Sequence, residues 1–245
     1  LGIGMPGNFA YHGMHLWYLL FLFIYSLLCY RLFVWLKGSG RQILEAITHP
    51  LALPGIMQVG FCLPLLIMKA VLPQAVMEVG NGGWGFLYYL WFLIAGFIIA
   101  SSERLQQQMV RQRWISLLPA AALSAAHLYQ LFSPSRLELP AATADWGLTL
   151  ISFLSAWCWL FSILGFGMRH LAFDRPFLRS ANERVMPFYI LHQTVLLCIG
   201  YFVMTWEIHD TLKWGIVFTS SFIVITILCS SLIRKVEVLR FVFGM

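Results

Sequence analysis

The chain has 245 residues, of which 60% are apolar and only 11% are charged, against about 45–50% and about 25% in soluble domains. So few charged side chains cannot cover a soluble surface, which excludes a soluble enzyme, a disordered chain and a fibrous protein. The formal charge of +6 comes from basic residues beside apolar stretches, where membrane topology explains them, and no nucleic-acid partner is expected. The composition predicts an all-α, polytopic transmembrane helical bundle.

Seven stretches are long and apolar enough to cross a bilayer as helices. In chain order they cover residues 15–36, 51–72, 84–101, 114–132, 146–168, 187–206 and 213–233. The second is the weakest of these, because Pro54 and Pro64 each remove a backbone hydrogen bond and kink a helix. No internal repeat or soluble domain interrupts them, so residues 1–245 are predicted to form a single transmembrane domain.

The distribution of basic residues predicts how the spans are oriented. Thirteen of the 16 lysines and arginines lie in the first, third and fifth connections and in the C-terminal tail. The other side of the membrane holds Lys69, Arg136 and Lys213. Because basic loops stay in the cytoplasm, the N-terminus is predicted outside and the C-terminus inside, with the connection 169–186 in the cytoplasm.

The sixth span, 187–206, carries the most informative polar side chains. Tyr189, His192 and Gln193 share one helical face. His192 lies about 8 Å along the axis from Pro187, in the cytoplasmic third of the bilayer. An imidazole there suits general-base work on a hydroxyl, because it exchanges a proton near neutral pH. The alternative is a structural histidine that hydrogen-bonds to a neighbouring span.

Polar residues in other spans allow two interpretations each. His12 and His15, near the start of the first span, are either interfacial residues or, for His15, part of an outward-facing acceptor site. His127 shares a helical face with Ser124. It is predicted either to join His15 in an outer cavity or to extend its side chain to the membrane–water interface. Gln58 is predicted to hydrogen-bond across helices or to fill a gap beside a proline.

Metal and nucleotide motifs are missing from the sequence. The five cysteines lie in apolar stretches without a C-x-x-C pair, which favours packing over disulfides or a zinc site. The glycine-rich stretch 80–85 follows no strand and precedes a span, so it does not indicate a nucleotide loop. No metal and no bound cofactor are therefore expected.

Two segments resemble the membrane acyltransferase 3 family, within it the glucan succinyltransferases and related O-acyltransferases. The segment HLWYL, residues 15–19, is similar to the family's H-L-W-[FY]-L motif. The segment FYILHQ, residues 188–193, follows Ala181, Asn182 and Glu183 and resembles the F-Y-I-L-H-Q motif.

The sequence lacks the N-terminal spans that the resemblance leads us to expect. Family members have about ten spans, and the first carries an arginine and a histidine that are thought to be catalytic. The present sequence opens on Leu1 without such a span. We therefore expect it to correspond to the C-terminal part of an acyltransferase, and three preceding spans agree with an N-terminus outside.

The resemblance implies transfer of an acyl group from a cytoplasmic donor, with acyl-CoA as co-substrate, to a hydroxyl of an extracytoplasmic glycan or lipid-linked sugar. It places the protein among the lipids of a bacterial inner membrane. His192 and His15 are then the catalytic candidates. The substrate-binding candidates are Trp17, Tyr18, Tyr189, Gln193, Asn182, Glu183, Arg179 and Arg184. Aromatic rings offer a stacking surface for a sugar, and guanidinium groups suit donor phosphates.

Two other classes of protein compete with this interpretation. A transporter or exporter of a small or glycan-type substrate would use the polar faces to line a pathway, and broken helices paired in two halves would favour it. A seven-helix receptor would bind a ligand without consuming an acyl donor. The second span contains prolines but has no counterpart half, which disfavours a transporter, and the receptor leaves the FYILHQ segment unexplained.

Overall fold

A computed structural model describes residues 17–72, 85–132 and 140–243 of the chain. Within these ranges 87% of the residues are helical and none lies in a strand, which confirms the all-α prediction. The described part divides into two compact units, of which the first ends at Ala172 and the second begins at Phe173.

The described part of the first unit consists of α-helices. They are α1 (Trp17–Lys37), α2 (Arg41–Leu51), α3 (Ile56–Val71), α4 (Phe86–Ala100), α5 (Glu103–Phe132) and α6 (Ala141–His170). The chain bends by 115° between α2 and α3 and by 99° between α4 and α5. At the first bend Gly55 has a φ of 77°, a left-handed conformation that glycine adopts without steric cost.

The second unit is built on a long helical hairpin. Its helices are α7 (Pro176–Val203), α8 (Asp210–Leu228) and the short α9 (Glu237–Val242), with a π-helical turn at Cys229–Ile233 that continues α8. Pro176 occupies the first turn of α7, where its missing N–H has no intrahelical partner to lose.

Four helical stretches among the described residues are long and apolar enough to cross a membrane. They are Tyr18–Lys37, Thr143–His170, Pro176–Val203 and Asp210–Ile233, and they correspond to the first, fifth, sixth and seventh predicted spans. The other three predicted spans fall in the bent pairs α2–α3 and α4–α5, and counting each pair as one span gives six. The protein therefore has apolar helices of spanning length, while the number seven and the orientation stay predictions.

The core of the first unit lies where α3 packs against α6. Phe61 is fully buried, and its ring centroid is 5.2 Å from that of Trp157 and 5.3 Å from that of Phe161. The indole of Trp91 on α4 donates a hydrogen bond of 2.9 Å to the Phe61 carbonyl oxygen. The ring and the backbone carbonyl of one residue therefore connect three helices.

Polar side chains cross-link the helices around this core. Gln58 donates to Ser116 Oγ over 2.8 Å and lies 3.4 Å from Gln112 Oε1, which confirms its predicted bonding across helices. Lys69 Nζ lies 2.8 Å from Asp145 Oδ2. In a membrane, such bonds support helix association, because lipid offers polar groups no other partner.

His127 of α5 also takes part in packing. Its Nδ1 lies 3.5 Å from Ser152 Oγ on α6. Nearby, Trp159 of α6 donates to Ser124 Oγ of α5 over 2.9 Å. These contacts place His127 between two packed helices and provide a structural role for it.

Replacing Gln58 with leucine is expected to lower the free energy of unfolding by about 1 kcal/mol. The substitution removes the bond to Ser116, a fully buried hydroxyl, and leaves that hydroxyl without this partner. Thermal unfolding in detergent of the wild type, Gln58→Leu, Ser116→Ala and the double variant measures the effect. If Gln58 and Ser116 interact, the double variant loses less free energy of unfolding than the two single variants lose together. Fully additive losses would contradict the hydrogen bond between them.

Candidate functional site

One face of α7 forms a cavity against α8 within the second unit. The cavity has a volume of about 680 Å³, within the range of small-molecule sites, about 300–1,000 Å³. Its lining residues are Phe177, Ala181, Arg184, Val185, Phe188, Tyr189 and His192 of α7, Phe222 and Thr226 of α8, and Cys229 of the π-helical turn. Residues on both walls recur three or four positions apart, as one face of a helix requires.

The backbone of α7 holds the ring of His192 in place. The Nδ1 atom lies 2.6 Å from the carbonyl oxygen of Tyr189, one turn earlier. A carbonyl can only accept, so Nδ1 carries the hydrogen, and in the neutral ring Nε2 is the basic nitrogen. The ring is half-buried, and its centroid is 5.6 Å from that of Tyr189. An imidazole held through Nδ1 can act as a general base at Nε2.

Arg184 is the charged residue of the same cavity. It is half-buried and precedes His192 by eight positions, about 12 Å along the helix axis. The wall between them is apolar, with the rings of Phe188 and Phe222 5.5 Å apart. The cavity thus offers a cation and an imidazole separated by an apolar passage, which suits a ligand with an anionic end and an uncharged reactive end.

Other predicted residues of α7 lie outside the lining of this cavity. Arg179 is exposed and pairs with Asp174 through two hydrogen bonds, one of them 2.8 Å from Nε to Oδ1. Asn182 and Glu183 are exposed, and Gln193 is half-buried. The structure therefore brings Arg184, Tyr189 and His192 together and places these four residues elsewhere on the helix surface.

The predicted acceptor residues belong to the first unit. Tyr18 lines an aromatic cavity of about 470 Å³ between α1 and α4, together with Tyr25 and Tyr89. The hydroxyl of Tyr25 donates to the carbonyl oxygen of Phe86 over 2.6 Å. Trp17 begins α1, but its side chain and all of His15 lie outside the described residues.

Sequence reasoning missed the second wall of the His192 cavity. Phe222, Thr226 and Cys229 follow each other at positions i, i+4 and i+7 of the last span, and that spacing is the only sequence signal they carry. Among the residues that the structure describes, no cluster of three or more histidine, cysteine or acidic side chains is placed to hold a metal ion.

Apolar helices of spanning length are typical of an integral membrane protein, and the histidine-lined cavity is its candidate site. A family model described as an acyltransferase domain matches residues 6–234, nearly the whole chain. The chain belongs to this family of membrane acyltransferases, which confirms the resemblance of the HLWYL and FYILHQ segments. The family implies acyltransferase activity and does not favour a transporter. Comparison with curated proteins and with solved structures found no match.

Proposed function

We propose that the protein transfers an acyl group from acyl-CoA on the cytoplasmic side to a hydroxyl of an extracytoplasmic glycan or lipid-linked sugar. The observation that carries this proposal is the ring of His192, which lines a cavity with Nδ1 hydrogen-bonded to a backbone carbonyl. Membership of an acyltransferase family supports the reaction class. The donor, the acceptor and the formation of an ester are parts of the proposal.

His192 acts as the general base in this reaction. Its Nε2 takes the proton of the acceptor hydroxyl while the oxygen attacks the carbonyl carbon of the thioester. The carbon–sulfur bond then breaks, and the departing thiolate takes the proton from the imidazolium. The products are an ester and free CoA. The Tyr189 carbonyl supports the step, because its negative end faces the Nδ1–H of the transient imidazolium.

Arg184 is the better candidate of the two arginines for binding an anionic part of the donor. Its side chain lines the cavity with His192, whereas Arg179 is already paired with Asp174. A guanidinium binds phosphate oxygens through paired hydrogen bonds. Asn182, Glu183 and Gln193 are proposed to contact polar groups of the substrates, because they lie in or beside the family motif on the same helix.

The acceptor is proposed to approach from outside, near His15, Trp17 and Tyr18. The cavity beside Tyr18 has aromatic walls, and aromatic rings stack well on sugars, which present apolar faces with polar edges. The proposed topology has seven spans with the N-terminus outside and the C-terminus inside, in a bacterial inner membrane. This topology places the basic connection 169–186 in the cytoplasm, on the same side as the acyl donor.

Labelled acyl-CoA supplied to oriented membrane vesicles containing the full chain tests the proposal. Inside-out vesicles expose the cytoplasmic face, so we expect label to enter the glycan or lipid-linked fraction in those vesicles and not in right-side-out ones. Mild alkali should release the label, because an ester is cleaved where an amide survives. Absence of transfer in both orientations would overturn the proposed function, and alkali-stable label would overturn O-acylation.

A further inference from the structure

A polar cavity in the first unit contains none of the residues considered so far as substrate ligands. It lies where α1 ends, α2 begins and α4 meets α5, and its volume is about 700 Å³. Five of its eleven lining residues are charged, in a chain of which 11% is charged. Membrane topology explains why basic residues lie on this side of the membrane, and their convergence with two acidic residues on one cavity makes them accessible to the same ligand.

The charges of this cavity leave an excess of cations. Arg41 Nε lies 2.8 Å from Glu45 Oε1, so these two residues largely compensate each other. Lys37 and Arg104 remain, with Glu103 as the other acidic residue of the lining. Both cations are exposed, so they are accessible to a ligand that enters the cavity.

A tight turn positions the first wall. The Cβ atom that Gly40 lacks would lie 2.9 Å from the ring of Trp35, so glycine allows α1 and α2 to meet closely there. The turn places Lys37 just before the corner, and its Nζ lies 5.8 Å above the ring of Phe97. Phe97 lies near the end of α4, so this contact holds the lysine close to the corner between α4 and α5, which forms the opposite wall of the cavity.

Hydroxyl groups complete the lining. Ser101 and Ser102 lie at the corner between α4 and α5, and Ser102 Oγ accepts the N–H of Leu105 over 3.4 Å. The hydroxyl proton of Ser102 can therefore point away from the helix. Two cations and two hydroxyls from separate segments match a group that is negatively charged and carries several acceptor oxygens, as phosphate does.

We propose that this cavity binds a phosphate group, with Lys37 and Arg104 as charged partners and Ser101 and Ser102 as hydroxyl donors. The phosphate belongs either to the nucleotide part of the acyl donor or to the headgroup of an anionic phospholipid. Only the first source rests on the proposed function. Both lie on the cytoplasmic side in the proposed orientation, which puts Lys37, Arg41 and Arg104 inside.

Calorimetric titration of the full chain with CoA tests the nucleotide source. The chain is held in nanodiscs of phosphatidylcholine, a zwitterionic lipid. We expect Lys37→Gln and Arg104→Gln each to weaken CoA binding by about 10-fold, the usual value of a charge-assisted hydrogen bond. The matched control is Arg111→Gln, an exposed arginine of α5 outside the cavity, which should stay within about twofold. In the Arg184→Gln background, where CoA binding is itself expected to be weaker, Lys37→Gln and Arg104→Gln should each reduce the affinity by the same further factor, because Arg184 lines a different cavity.

Nanodiscs containing phosphatidylglycerol test the lipid source. If the headgroup is the ligand, the anionic lipid raises the Tm of the wild type and the Arg111→Gln control but not of Lys37→Gln or Arg104→Gln. Unchanged CoA affinity together with an unchanged lipid effect in both cavity variants would overturn the proposal. Cavity-dependent CoA binding by a chain that transfers no acyl group would uphold it while removing the proposed function.

Discussion

Replacing His192 with alanine is expected to lower kcat/KM for acyl transfer by about 100- to 10,000-fold, the usual contribution of a general base. The ring lines the cavity between α7 and α8, and its bond to the Tyr189 carbonyl leaves Nε2 as the basic nitrogen. Removing the ring removes the proton acceptor, so the loss should appear in kcat with little change in the KM of the donor.

Two further variants separate catalysis from packing. His192→Asn keeps an N–H that can reach the Tyr189 carbonyl but cannot accept the hydroxyl proton, so we expect it to fold normally and to be as inactive as the alanine variant. Thr194→Ala changes an exposed side chain two positions away and should retain full activity. Initial rates with labelled acyl-CoA measure catalysis by each variant, and a melting curve measures its stability. If His192→Asn retained wild-type kcat, the histidine would be a packing residue.

Hydropathy predicted the fold best where a helix is both long and uniformly apolar. α1, α6 and α8 satisfy that condition, and each was predicted as a span. α7 was predicted only from Pro187 onward, because its first eleven residues include three charged side chains and an asparagine. The bent pairs were predicted less well, because α2 contains Arg41 and Glu45 and so carries no apolar signal. α5 begins at Glu103, eleven residues before the predicted 114, because a polar sequence of good helix formers extends it.

The sequence predicted one wall of the candidate site and not the other. Tyr189 and His192 carry a chemical signal at helical spacing, and the structure places both on one cavity. Phe222 and Thr226 resemble any other residues of an apolar span, and their position opposite His192 depends on how α8 packs against α7. The polar cavity was missed for a similar reason, because Lys37 and Arg104 are far apart in sequence and only the bends bring them together.

Close packing of α5 against α6 leads to a second large effect, on stability. A Cβ atom at Gly165 would lie 2.3 Å from the carbonyl oxygen of Met109 and 3.0 Å from Cβ of Arg113. Both are atoms on or next to the α5 backbone and cannot rotate away, so an added methyl group must push the helices apart. We expect Gly165→Ala to lower the free energy of unfolding by about 1–3 kcal/mol, although alanine favours a helix by about 1 kcal/mol over glycine.

Gly167, two positions further along α6, provides the matched control. A Cβ atom there meets nothing within 4 Å, so Gly167→Ala should be neutral or stabilising by up to about 1 kcal/mol. Thermal unfolding of both variants in the same detergent compares them directly. Helices in a membrane gain little from apolar burial and associate through close packing, which small residues permit. Equal stability of the two variants would show that Gly165 does not set the distance between α5 and α6.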